Sequence, residues 1–179
     1  MLGLTPLGAV HTAISLVAVA AGLIAFWRDK GITPANLLGQ VYIWTTVLTC
    51  LTGFGIFERG GFGKPHALGV LTLLVLGLAW LAARGSLFGA RSAAVMTVSY
   101  SLTFFFHMIP AMTETAVRLP VGKPLADSPE AEWLKVAAGI LFLVFLIGAT
   151  LQLRRLRRAP GGEAAPRYDR PGGAVDSNM

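Results

Sequence analysis

Residues 6–27 read PLGAVHTAISLVAVAAGLIAFW, twenty-two positions that include one histidine and no acid, lysine or arginine. A hydrocarbon core takes about 20 consecutive apolar residues as a helix, and a helix in water needs a polar face along its length, which this run lacks. It therefore reads as a membrane span. A secretory signal opens with positive charge and closes on a small-residue cleavage site, so the run is expected to remain as a first transmembrane helix.

Outward from this stretch, four more runs have the same character: 35–57, 66–83, 92–117 and 133–153. The punctuation between them is Arg28-Asp29-Lys30-Gly31, Glu58-Arg59-Gly60-Gly61, Arg84-Gly85-Ser86, and a longer connection over 118–132 with mixed charge and prolines. Gly and Pro in such positions interrupt helical geometry. The expected fold class is an all-α integral membrane protein, a bundle of five transmembrane helices over residues 1–158. Residues 159–179 hold little to bury and are expected to form a disordered cytoplasmic tail.

Composition agrees. The chain of 179 residues is 54% apolar and 13% charged, where soluble domains carry about a quarter charged residues. The net charge of +6 does not argue for nucleic acid, because Arg154, Arg155, Arg157 and Arg158 directly follow an apolar run, where cytoplasmic anchoring charge belongs. Cys50, the single cysteine, excludes an intramolecular disulfide. Alternate connections place Arg28, Lys30, Arg84, Arg91 and the four-arginine cluster on one side, against Arg59, Lys64, Arg118 and Lys123 on the other. Lysine and arginine concentrate in cytoplasmic loops; the count therefore favours a bacterial cytoplasmic membrane with the N-terminus outside and the C-terminus inside.

Polar groups inside a bilayer are costly and turn to the protein interior. The stripes expected to face inward are His11, Ser15, Ala18 and Gly22; Tyr42, Thr46, Thr49 and Gly53; His66, Gly69, Leu73, Gly77 and Trp80; and Tyr100, Thr103, His107, Ala111 and Glu114. Small residues on such stripes let helices approach closely. Residues 140–149 offer no stripe, so the expected core has four helices with a peripheral fifth. For Tyr42, Tyr100 and the threonines, packing is the simpler reading.

The topology brings all three histidines, His11, His66 and His107, to the outer half. Imidazole is the commonest metal ligand and an axial ligand of haem. One reading is haem b held by two of the histidines, or copper or zinc held by His11, His66, His107 and Glu114, with Met108 and Met112 favouring copper(I). A second has His107, Glu114 and Tyr100 binding a quinone head group or relaying protons. A third makes the histidines structural, bonded to loop backbone. Pro110 is expected to kink the fourth helix.

His11 followed by Gly22-Leu23-Ile24-Ala25, the Lys30-Gly31 turn, Leu38-Gly39-Gln40-Val41-Tyr42, Thr52-Gly53 and Pro65-His66 resemble the bacterial membrane-protein family DUF2306, over residues 7–110. That family pattern often carries a histidine just before the Leu-Gly-x-x-Tyr element. Here Ala35, Asn36 and Leu37 stand in its place, so the resemblance implies one haem or one smaller site rather than a four-histidine, two-haem arrangement. The family lends no established activity. The functional expectation is a redox-associated, haem- or metal-binding membrane protein. The alternative is a non-catalytic assembly factor or subunit acting on a membrane partner or a second copy, and a small transporter comes third.

Overall fold

A computed structural model describes residues 5–57, 61–85 and 87–158, and every regular element among them is helical. The segment expected to be a disordered tail, 159–179, lies outside the described residues. Five α-helices follow in order: α1 (Pro6–Asp29), α2 (Leu37–Gly53), α3 (Lys64–Ala83), α4 (Ser92–Arg118) and α5 (Glu132–Arg158), with one 3-10 turn, Gly89–Arg91, before α4. Helices α1, α3, α4 and α5 are long and apolar enough to cross a membrane. This is a multi-pass membrane protein.

The helix limits are set by local chemistry. Thr5 caps α1 by accepting from the Gly8 amide, and Pro6 follows it where a missing N–H costs nothing. The helix stops at Lys30, which adopts the left-handed conformation at φ 61°. Asn36 caps α2, its side-chain oxygen accepting from the Gly39 amide at 2.8 Å. Two expected limits are corrected. The second run was read as 35–57, but α2 has 17 residues, about 25 Å at 1.5 Å per residue, because Asn36 starts it late and tight turns at Gly55 and Ile56 end it early. The third begins at Lys64 rather than at His66, since Gly63 supplies the cap and Pro65 tolerates the first turn.

Helices α1 to α4 form the core. α1 packs mainly on α2, α3 mainly on α4, and the α2–α3 and α1–α4 pairs close the bundle. Ala21, Ala25, Ile32, Tyr42, Leu76, Ala79 and Tyr100 form its apolar centre, where alanines let the backbones approach. Helix α5 lies at the periphery against α4 alone, through Phe105 of α4 packed with Phe142 and Phe145. One expected face is wrong. On α3 the inward residues after His66 are Thr72, Leu76, Ala79 and Ala82, while Gly77 and Trp80 are exposed. A stripe counted in steps of four from Gly69 drifts around a 3.6-residue helix.

At one end of α5, Gln152 joins three elements. Its Oε1 accepts from Ser101 Oγ at 2.8 Å and its Nε2 donates to the Lys30 carbonyl at 2.9 Å. The same end gathers the C-terminus of α1, the N-termini of α2 and α4, and the arginines of α5; it is called the basic end below. The opposite end holds the start of α1, the end of α2 and the start of α3 and is called the histidine end. There the connection over 119–131 is tied down: the Ala126 amide donates to the Ala116 carbonyl, and Ala116, Ala126 and Leu134 bury one another.

Candidate functional site

All three histidines lie toward the histidine end, but the structure joins only two of them. His11 on α1 meets Thr52 on α2, with Nδ1 and Oγ1 3.0 Å apart. His107 on α4 meets Thr46 on α2, with Nε2 and Oγ1 3.1 Å apart. The two threonines are six residues apart on one helix, about 9 Å along its axis. Both imidazoles thus take their partner from the same helix, α2.

The donors can be assigned from the hydroxyls. Thr52 sends its hydrogen back to its own helix, at 2.8 Å from the Leu48 carbonyl, so it accepts from His11 Nδ1–H. The lone pair of His11 then sits on Nε2. Thr103 sends its hydrogen to the Tyr100 carbonyl at 2.8 Å, so the fully buried Tyr42 donates to Thr103 at 2.9 Å. Thr46 lies against the Tyr42 hydroxyl as well as against His107. A chain of donation runs from Tyr42 through Thr103 to the Tyr100 carbonyl, beside the contact of His107 with Thr46. It ends there, since a carbonyl has no hydrogen to pass on. Beyond it lie Ala21, Ala25, Ile32, Leu76 and Ala79. The polar column is therefore blind toward the basic end.

His66 stands apart. Its ring lies between Phe57, stacked at 5.1 Å, and Phe62 at 5.3 Å. The Gly63 amide donates to His66 Nδ1 at 3.2 Å, which closes the cap of α3. The hydrogen of the neutral ring is then on Nε2, which is buried without a partner. Among the described residues no three His, Cys, Asp or Glu side chains are placed to share a metal ion. The set of His11, His66, His107 and Glu114 is therefore not assembled. Glu114 is exposed and pairs with Arg118 one turn on, at 2.7 Å.

Met108 and Met112 do not supply the missing ligands. With Ala111, Thr115, Ala116, Leu125 and Trp133 they line an open apolar recess of about 420 Å³ that none of the histidines touches. Haem between His11 and His107 meets a different obstacle. A Cβ on Gly53 would stand 3.2 Å from His11 Cε1, and the Tyr42 ring packs edge-on to His107 at 6.0 Å. A porphyrin there requires α1 and α4 to part from α2. Tyr100 is buried in the apolar centre, below the histidine pair.

Sequence reasoning read Thr46 as packing and passed over Thr52 as a histidine partner and Gln152 altogether. Gln152 carried one signal, an amide within the apolar end of α5. The class that fold and site define is a multi-pass helical membrane protein whose four-helix core holds a buried and a half-buried imidazole, both bonded to α2. Compared with protein-family models, curated proteins and solved structures, the chain finds no match.

Proposed function

We propose that this protein handles protons at one face of a bacterial cytoplasmic membrane, as a redox-associated component, with His11 and His107 as the working groups. The observation that carries this reading is the blind polar column. Imidazoles within a membrane bundle are costly unless used or fully satisfied, and the hydrogen-bond assignment leaves the lone pair of His11 on Nε2. A column that stops at the Tyr100 carbonyl serves one side only, so it exchanges protons with that side and does not conduct. Orientation follows the charge count, with the histidine end outside and the basic end inside. The resemblance to DUF2306 belongs to the same proposal and rests on the short motifs from His11 to Pro65-His66.

A second reading, a non-catalytic subunit of a larger membrane assembly, draws on the separation of His66 from the other two rings. A transporter is not favoured, because broken helices meeting at the midplane are not seen: α4 continues through Pro110 as one helix.

Absorption spectra of the detergent-purified protein, oxidised and reduced, with haem, copper and zinc offered in turn, test the proposal alongside proteoliposomes loaded with a pH-sensitive dye. The expected result is no Soret band, no stoichiometric metal, and vesicles that hold a pH step. A Soret band that shifts on reduction and is lost in His107→Ala would replace proton handling by electron transfer. Steady proton leakage would show that the column is not blind.

A further inference from the structure

The two ends of the bundle treat their cations differently. At the histidine end, Lys64 pairs with Glu130 at 3.8 Å, Arg118 with Glu114 at 2.7 Å and Lys135 with Glu132 at 2.6 Å. At the basic end the one described carboxylate, Asp29, is already occupied by Arg28 through two hydrogen bonds and by Asn36. Lys30 Nζ is turned to the Trp27 carbonyl. Arg84, Arg91, Arg154, Arg155, Arg157 and Arg158 are exposed and have no carboxylate partner among the described residues.

These arginines also share one end of the bundle. The Gln152 junction fixes the last turns of α5 beside the α1–α2 turn and near the start of α4, where Arg91 lies. Arg84 lies flat over the exposed Trp80 ring at 3.5 Å, and tryptophan favours the headgroup level of a bilayer. Apolar helix faces lead away from this end: Leu23, Ile24 and Trp27 of α1 and Ile147 and Leu151 of α5 are exposed.

We infer that the basic end binds an anionic phospholipid, its headgroup phosphate held by the arginines around the Gln152 junction and its acyl chains laid along α1 and α5. Guanidinium matches phosphate oxygens in a bidentate fork, and a juxtamembrane Lys or Arg strengthens binding to an anionic surface by about fivefold. The surplus concentrates at this end: among the described cations opposite, only Lys123 has no carboxylate partner.

The test uses the full chain in nanodiscs of phosphatidylcholine, with and without phosphatidylglycerol, and counts retained lipid by native mass spectrometry. The expected result is selective retention of phosphatidylglycerol, weakened by about six hundredfold when Arg154, Arg155, Arg157 and Arg158 are all changed to Gln, and largely restored when all four are Lys. These positions are exposed, and an unchanged circular dichroism melt identifies a folded variant. If the Gln variant does not fold, Arg91→Gln in the natural background serves, with about a fivefold loss expected. Equal retention of the two lipids overturns the inference, as does undiminished retention by a folded Gln variant. Inorganic phosphate binding as tightly as the lipid, with no preference for charged nanodiscs, would assign the site to a free anion and overturn it too.

Discussion

Gly39→Ala is expected to lower stability by about 3 kcal/mol or more, the largest effect of any single methyl group in the molecule. A Cβ at Gly39 would overlap the carbonyl oxygen of Thr33, and a backbone atom cannot turn aside as a side chain does. Thr33 belongs to the turn between α1 and α2, held on one side by the left-handed Lys30 and on the other by the Asn36 cap. That turn also accepts Gln152, so the substitution loosens α5 together with α2. Gly22 makes the useful contrast. Its Cβ would meet the Phe104 ring at 2.5 Å, and a ring can rotate, so Gly22→Ala is expected to cost less. Thermal unfolding of both variants in one detergent gives the comparison. Equal melting temperatures for Gly39→Ala and the natural protein would mean that the turn is not built as described.

His107→Ala is expected to be the second largest, at about 2–3 kcal/mol. The change removes a buried ring that packs against Tyr42 and strips Thr46 of one partner. Hydrogen bonds between membrane helices contribute about 0.6 kcal/mol on average, so most of the loss comes from the vacated volume. His11→Ala should cost less, since His11 is only half-buried. Unfolding by a graded denaturing detergent measures both. If His11→Ala proved the more damaging, the core would be centred on α1 and α2 and not on the α2–α4 contact.

Much of this architecture is legible in the residues. Charge-free runs place the helices, and the missing stripe over 140–149 places α5 at the edge, because both follow from the cost of polar groups in hydrocarbon. The inward faces of α1, α2 and most of α4 follow from spacing alone. The face of α3 does not, since Gly77 and Trp80 are as apolar as Leu76 and Ala79 and only packing distinguishes them. The short α2 was misread because the residues after Gly53 remain apolar while the backbone turns.

The site is less legible. Sequence can place three histidines toward one end but cannot show that His66 is taken up by Phe57, Phe62 and its own helix cap. Nor can it show that His11 and His107 are joined through α2, because Thr46 and Thr52 are ordinary residues of a membrane helix. Asn36, which reads as an ordinary loop residue in the sequence, caps α2. The methionines show the limit of reading one helix at a time. Met108 and Met112 border His107 in sequence and open onto a separate recess in space.

The central claim is that His11 and His107 are linked through their threonine partners on α2 and that His66 does not belong with them. Nitrogen-15 NMR of histidine-labelled full-length protein in nanodiscs, followed through a pH titration, tests this most directly. The account predicts that His11→Gln moves the titration of His107, that His107→Gln moves that of His11, and that neither change touches His66. Three rings that titrate independently, or a His66 that responds to either substitution, would contradict it.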